Sequence, residues 1–340
     1  MISRYTKDNR ITVSIIIVNY NTVDLVLQCL NSIYLNCKQD AIEIIVVDNA
    51  SHDGSAEAIR KDYPKVILIE NTSNEGFSKA NNSGIKLASG TYLLLLNSDT
   101  IVLPGALELL VQFMDIRNDA AAVGPKLLNA DMSLQRSWFD FPSSLKTFCN
   151  ITGISKILYR VAKASSNVSF SIWHNKPAFM ITNVSDPMIV DYLILACLLI
   201  RHDLLDDIGM LDENLFFYHE DCELGYRLKS YHKNIFYYPT AEVIHFGGSS
   251  SSKYKLKTYR ENFKSLVYVM SKYNNKINAM TIRVAIITGM LIRLFLGKFG
   301  MFRDIDKVGI YNNANDATSN KLQISDVDKT YIQIIKDCIC

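Results

Sequence analysis

Three features of this sequence predict an α/β protein built on a mostly parallel sheet. Apolar runs of strand length alternate with stretches of helical spacing. Several of those runs are apolar at every position rather than every second one, as a strand buried on both faces requires. Each run also closes abruptly in small polar residues, at Asn19-Tyr20-Asn21, at Asp48-Asn49 and at Asn97-Ser98-Asp99. In open sheets of this class ligands gather at the carboxyl ends of the strands.

The first strand is residues 13–20, a β-branched run ending in Asn19 and Tyr20. Helical spacing follows in Leu25, Cys29 and Ile33, and again in Leu27, Leu30 and Tyr34. Residues 43–48 are the second strand, opening into Asn49-Ala50-Ser51-His52-Asp53-Gly54-Ser55, with a helix beginning near Ser55. Residues 66–70 are the third strand. Asn74-Glu75-Gly76-Phe77 reads as a turn, and residues 78–87 as helix. The fourth strand lies in the run that begins at Gly90 and stops at Asn97-Ser98-Asp99-Thr100. Pro104 suits the first turn of the next helix, which continues through Leu107, Leu110, Val111 and Met114. Strand and helix in this order imply right-handed crossovers and parallel pairing.

The second half is less regular. Residues 121–128 read as a further strand and residues 150–177 as a long insertion over the site. Residues 191–201 read as one more buried strand, with Asp203 capping a short helix after it. Phe216-Phe217-Tyr218-His219-Glu220-Asp221 leads into a helix carrying Leu224, Arg227 and Leu228. Residues 234–239 form a late strand, followed by Val243-Ile244-His245-Phe246-Gly247-Gly248.

Composition narrows the function. With 340 residues and 49% hydrophobic, the chain can bury one large core or two modest ones. A net charge of +2 gives no basic field for nucleic acid. The first strand does not open into GxGxxG and there is no GxxxxGK[ST] loop, which argues against dinucleotide oxidoreductases and P-loop enzymes. Seven cysteines without a paired CxxC pattern make neither a zinc site nor a disulfide framework, and Cys29 and Cys197 read as reduced core residues. Residues 1–10 lack the apolar centre of a secretory signal, so a cytoplasmic location is expected.

Two helices are expected near the C-terminus, over residues 258–273 and 277–299. On the second, Lys276, Arg283, Arg293 and Lys298 share an arc of roughly 140° at about 100° per residue. Leu291 and Phe295 lie outside that arc. Two arginines inside the run exclude a simple spanning helix. Two readings stay open: a helix lying in an anionic membrane surface, and a helix packed on protein. The polar tail from Asn312, ending in Cys338-Ile339-Cys340, reads as an uninformative end, with a reactive or lipidated thiol as the alternative.

Asp48, Asp99, Glu220-Asp221 and His245 all fall at strand ends or just before a helix. With their neighbours, in this order, they resemble the inverting nucleotide-sugar glycosyltransferases of family 2, which have the GT-A fold. The segments that carry the resemblance are residues 13–21, 46–55, 74–77 and 97–99, with His219-Glu220-Asp221-Cys222-Glu223-Leu224 and Arg227. Within the family, Gly76-Phe77 running on to Asn81-Asn82, and Gly124-Pro125-Lys126-Leu127, look most like the rhamnosyltransferase group. The match covers roughly residues 12–250. It implies a Rossmann-like, mostly parallel mixed sheet flanked by helices over residues 1–250, and a C-terminal helical region over residues 251–340.

The resemblance also implies roles. Asp48 would accept the imide hydrogen of a uracil or thymine ring, framed by Asn19 and Tyr20, with Asn49 beside it. A turn acid is the alternative for Asp48. Asp99 would hold a divalent cation, Mn2+ or Mg2+, across the two phosphates of a dTDP- or UDP-sugar. The family usually writes two acids here, whereas this chain has Asn97 at the first. His245 would complete the metal shell or serve as a structural histidine. Lys79 and Arg227 would face the diphosphate, or stand as a solvated helix lysine and a residue orienting Asp221. Asp221 would be the general base, with Glu220 as the alternative base or an acceptor ligand. First-turn helix acids are the plainer reading of both. Phe216-Phe217-Tyr218 would supply a partly dry wall, and Arg136 would line the acceptor side. The expected acceptor is a growing glycan or lipid-linked saccharide at the inner face of the cell membrane. Oligomeric state stays open, and a non-catalytic nucleotide-sugar binder is the second reading.

Overall fold

A computed structural model describes residues 11–155, 185–247, 255–297 and 324–339. Residues 1–10, most of the 150–177 stretch, Gly248, Lys298 and the tail between 312 and 323 lie outside them.

The chain begins with β1 (Val13–Asn19), α1 (Val23–Asn36), β2 (Ile42–Asp48), α2 (Ser55–Asp62), β3 (Ile67–Glu70), α3 (Phe77–Ile85) and β4 (Tyr92–Asn97). Strands β1, β2 and β4 are buried almost throughout and pair in parallel, as their unbroken apolar runs require. Alternate residues serve opposite cores. Ile15 and Ile17 face α1 through Val26, Leu30 and Ile33, whereas Ile16 joins Ile85 of α3 on the other side.

Next come β5 (Thr100–Val102), α4 (Ala106–Ile116), β6 (Ala120–Leu128), β7 (Leu134–Gln135), β8 (Trp138–Phe139) and α5 (Ser144–Ile151). Pro104 lies outside α4; Gly105, at φ +78°, takes the cap position instead. Beyond residue 185 the elements are β9 (Met188–Val190), β10 (Tyr192–Leu193), β11 (Cys197–Arg201), α6 (His202–Ile208), α7 (Glu220–Ser230) and β12 (Asn234–His245). The expected strand over 191–201 is therefore two. The chain pairs with β8 through β10, then crosses to β4 through β11. Asp203 sits in the first turn of α6 behind an Arg201 cap. The expected strand over 234–239 continues to His245 across a bulge between Tyr238 and Glu242.

The main sheet runs β3-β2-β1-β4-β11-β6-β12-β5, with β7 on β6 and β9 on β12. Strand β11 runs antiparallel to its two neighbours, so the sheet is mixed. Both faces carry an apolar core, in agreement with the expected class.

Three further helices, α8 (Lys255–Tyr273), α9 (Lys276–Gly297) and α10 (Ile324–Ile339), pack with α5 around Phe263, Leu266, Ile286, Met290, Tyr331 and Ile334. The tail helix α10 corrects the reading of that segment as an uninformative end. Its Cys338 is buried, and burial pushes the thiol up to about 11, against a reactive role for that residue; Cys340 lies outside the described residues. In α9 the two arginines of the cation arc turn inward, while Lys276 is exposed. Arg293 is buried and donates to the Ile151 carbonyl and the Tyr331 hydroxyl, while Arg283 donates to the Cys338 carbonyl. Ile277, Met280, Val284, Leu291 and Phe295 are left exposed. All six described cysteines are free and buried.

Candidate functional site

The parallel register of β1 and β2 sets Asn19 directly beside Asp48. Asn19 Nδ2 donates to Asp48 Oδ1 at 2.9 Å and to Ser51 Oγ at 3.1 Å, and Asn19 Oδ1 accepts from Thr22 Oγ1 at 2.7 Å. Asp48 Oδ2 accepts from the Ser51 backbone N–H at 2.9 Å. Two of the four lone-pair positions of a carboxylate are thereby used. The turn contact is real, and it leaves acceptor capacity on a buried acid at a strand tip. Tyr20 follows, half-buried.

Asn49 takes a different place from the expected donor contact. Its Nδ2 donates to Asn74 Oδ1 at 3.0 Å and to the Gly76 carbonyl at 3.2 Å. Its Oδ1 accepts from Asn71 Nδ2 and the Glu75 N–H, each at 3.0 Å. All four hydrogen-bonding positions of the amide are filled by protein, so Asn49 holds the 71–76 loop. Lys79 pairs with Glu75 at 3.0 Å on the solvent side, which is the solvated-lysine reading.

At the neighbouring tip, Asn97 ends β4 beside Val18. Thr22 Oγ1 meets Ser98 Oγ at 3.1 Å, tying this tip to that of β1. The last residue of β12, His245, pairs with Thr100 of β5, and the Phe246 N–H bonds the Asp99 carbonyl at 2.9 Å. That ladder brings His245 Nε2 to 3.2 Å from Asp99 Oδ1 and 3.4 Å from Asn97 Nδ2.

Gln135 sets the imidazole. Its Nε2 donates to the His245 carbonyl at 3.0 Å and to Asn129 Oδ1 at 2.9 Å. Both partners are acceptors, so Oε1 is the atom facing His245 Nδ1 at 2.7 Å. Nδ1 then carries a proton, and Nε2 faces a carboxylate. With Nε2 unprotonated, as a metal ligand must be, the two would face one another across a cation. Adjacent ligands of an octahedral ion with bonds of about 2.1 Å stand about 3 Å apart, so the observed separation fits. Among the described residues no group of three or more His, Cys, Asp and Glu side chains forms, so protein supplies a small share of any shell. An aspartate, an imidazole and a neighbouring amide, with Gln135 behind the histidine, suit Mn2+ completed by substrate oxygens.

The second acidic group lies in the turn before α7. Tyr218 and His219 both have positive φ, +68° and +66°, an uncommon conformation for bulky side chains. The Phe77 N–H bonds the Phe216 carbonyl at 2.9 Å, so the 71–77 loop is joined directly to this turn. Gly76 is required there: a Cβ would lie 2.6 Å from the Phe216 oxygen, and its φ is +86°. Phe216 is partly exposed, while Phe217 and Tyr218 meet edge to face at 4.3 Å.

Glu220 and Asp221 open α7, and both are buried. Burial first, then the charge of Asp221, pushes the Glu220 carboxyl up to about 8, which favours its neutral form. Its Oε2 has no protein partner among the described residues. Asp221 Oδ1 accepts from the Cys222 N–H at 2.7 Å. Burial holds His219 neutral, lowering it to about 4, with Nε2 at 3.2 Å from Asn262 Oδ1.

Arg227 is placed away from any donor role. Its Nε and Nη2 grip Glu223 Oε2 at 3.0 and 2.7 Å, and its Nη1 bonds the carbonyls of Ile208, Gly209 and Met210. It clamps α6 to α7. Arg136 donates to the Trp138 carbonyl and lies 4.8 Å over the Phe139 ring.

The sheet thus brings Asn19, Asp48, Asn97, Asp99 and His245 to adjacent strand tips, and the 71–77 loop links them to the turn bearing Glu220 and Asp221. Sequence reasoning missed Gln135 and Asn262, because their partners are 110 and 43 residues away and no local pattern marks them.

Comparison with known proteins accords with this architecture. N-acetylglucosaminyl-diphospho-decaprenol L-rhamnosyltransferase of Mycobacterium tuberculosis is 26% identical over 227 residues, covering 62% of this chain and 69% of that one. Poly(ribitol-phosphate) beta-glucosyltransferase of Bacillus spizizenii is 38% identical over 95 residues, covering 26% of this chain and 15% of its own length. The mannosyltransferase PcManGT from Pyrobaculum calidifontis, solved with GDP-Man and Mn2+, superposes with a TM-score of 0.54 at 14% identity, over 97% of this chain and 86% of that one. GalNAc-T7, solved with UDP, GalNAc and Mn2+, gives 0.55 at 15% identity, over 98% of this chain and 56% of that one. These two show a shared GT-A fold. The description of Glycosyl transferase family 2 matches residues 14–209, more than half of the chain, and to that family of glycosyltransferase enzymes this protein belongs.

Proposed function

We propose that this enzyme moves a sugar, L-rhamnose being the first candidate, from a dTDP- or UDP-sugar to a hydroxyl of a lipid-linked saccharide, with inversion at the anomeric carbon. The observation that carries the reading is the Asp99–His245 pair, with Oδ1 and Nε2 3.2 Å apart beside Asn97, at the carboxyl end of a parallel sheet. Asp99, His245 and Asn97 would hold a divalent cation there, which would supply positive charge against the charge that gathers on the departing nucleoside diphosphate. Asp48 accepts the imide N–H of the base with its remaining lone pairs.

Asp221 takes the proton of the acceptor hydroxyl as that oxygen forms its bond to the anomeric carbon. The bond from that carbon to the phosphate oxygen breaks on the opposite face, so the centre inverts. Burial beside Asp221 favours the protonated form of Glu220, which offers a hydrogen-bond donor beside the base rather than a second charge. The rhamnosyl and lipid-linked assignments draw on the mycobacterial relative, which acts on a decaprenol carrier by its name. The same chemistry suits an enzyme working peripherally at the inner face of the cell membrane.

Thermal shift with dTDP, UDP and GDP, each with and without Mn2+, tests the donor. A rise with dTDP or UDP that grows with Mn2+ is expected. Asp221→Asn should keep that rise and lose turnover by about a hundredfold or more. Parental turnover in Asp221→Asn would remove the base assignment.

A further inference from the structure

The turn that carries the acidic pair is held in place from the C-terminal helices. Polar side chains are unusual on the packed face of a helix, yet α8 buries Asn262 and Ser265. Both reach the same turn. Ser265 Oγ donates to the Phe217 carbonyl at 3.0 Å, and His219 Nε2 meets Asn262 Oδ1 at 3.2 Å. Asn262 Oδ1 is an acceptor, so the neutral imidazole must present its N–H there. Further along the same helix, Tyr268 and Lys272 bond Asp212, and Lys272 and Tyr273 bond Glu223. One side of α8 therefore tethers the whole 212–223 segment.

That segment needs tethering. Two successive side-chain-bearing residues in the left-handed region are strained and persist only where surroundings over-determine them. On the donor side the Phe77 N–H fixes Phe216. On the helix side, His219 caps α7, and its carbonyl accepts the Glu223 N–H at 2.9 Å. The direction in which the first turn of α7 sets off is thus determined by the residue that Asn262 holds.

We propose that Asn262 and Ser265 are positioning residues for sugar transfer: they hold the 216–219 turn in its left-handed form and so set Glu220 and Asp221 against the 71–77 loop. The inference rests on the reading of Asp221 as the base. It makes α8 part of the framework of the active site, although no residue of α8 enters the chemistry.

The test uses the full chain and three variants. Asn262→Leu keeps the volume and removes the acceptor; Asn262→Asp restores an acceptor oxygen; Ser265→Ala removes the second tether. Two readouts are taken: deuterium uptake of peptides spanning 216–223, and release of dTDP from dTDP-L-rhamnose with Mn2+ and an N-acetylglucosaminyl-diphospho-polyprenol acceptor. Asn262→Leu should exchange in 216–223 about tenfold faster, with β1 and β4 protected as in the parent. Its kcat should fall about tenfold or more while donor KM stays within about twofold. Asn262→Asp should recover most of both, and Ser265→Ala should show the same signature more weakly.

Parental exchange in Asn262→Leu overturns the proposal whether or not the chosen acceptor is a substrate. So does faster exchange with parental kcat, or a loss that Asn262→Asp fails to restore at equal melting temperature. If Asp221→Asn is inactive while Asn262→Leu is parental, only this inference fails. If Asp221→Asn is parental, the base reading fails instead.

Discussion

Glu220 and Asp221 are adjacent in sequence and share one buried turn, yet Glu220 has its carboxyl raised by burial and by its neighbour's charge. The sign of the consequence for stability follows directly. The unfolded chain ionises Glu220 near 4.5, while the folded chain keeps the proton up to about 8. Between those values the unfolded state binds fewer protons, so stability falls as pH rises and levels off above the folded value. Glu220→Gln removes this slope. Its melting temperature should rise relative to the parent between pH 4.5 and 8, by several degrees; equal profiles would show that Glu220 ionises normally. Gln135 gives a second expectation at this scale. Removing the partner that fixes a metal-facing imidazole typically costs about 10–100-fold in metal affinity. Gln135→Leu should weaken Mn2+ binding by that order, while dTDP binding without metal stays parental. Titration calorimetry reads both, and unchanged Mn2+ affinity would detach Gln135 from the site. The strand-tip acids were legible in sequence because a strand ends where its apolar run ends. Gln135 was not, since only the pairing of β7 with β6 and of β6 with β12 brings it to His245.

Helix α9 shows what periodicity can and cannot say. The spacing of its charges predicted two faces, and two faces exist. Which one meets the protein was beyond the pattern, because Arg293 is buried through contacts with Ile151 and Tyr331 that lie far away in the chain. The exposed face is a stripe of Ile277, Met280, Val284, Leu291 and Phe295, beside a shallow groove of about 290 Å³ lined by Ile277, Met280, Thr281 and Val284. Ser144 bonds Thr281 at 2.7 Å and brings the exposed Leu145 alongside. Of the described helices this one alone is long and apolar enough to cross a membrane, but its inward arginines tie it to the bundle. It contains no Asp or Glu and begins at the exposed Lys276. An apolar face without negative charge, flanked by a cation, is suited to lie in an anionic lipid surface. Leu291→Glu with Phe295→Glu should reduce partition into phosphatidylglycerol vesicles by about tenfold or more. Turnover on a water-soluble acceptor should stay parental. Equal partition of variant and parent would assign the stripe to a protein partner.

At the scale of the molecule, the parallel half of the sheet was readable because each strand carries its own signal. The break at residues 194–196 was not, because one apolar run feeds two different strand partners. The tail was unreadable for a related reason. Val327, Tyr331, Ile334 and Cys338 form the buried face of α10, but Ile332, Ile335 and Ile339 add apolar positions around it and blur the stripe. Its role depends on what it packs against. Arg260 of α8 grips Asp337 of α10 with two nitrogens at 2.6 and 2.9 Å, and Tyr331 closes the core between α8 and α9. Through α8 this bundle is bonded to the 212–223 segment, and through Phe216 to the 71–77 loop. Such a chain of contacts predicts that bundle and sheet melt together. Tyr331→Ala deletes a buried ring and should cost about 3–5 kcal/mol. Calorimetry should then show one transition at a lower temperature, and a donor nucleotide bound at the distant strand tips should raise that same transition. Two transitions, with only the later one responding to dTDP or UDP, would mean that the bundle folds on its own account and that α8 transmits nothing to the turn.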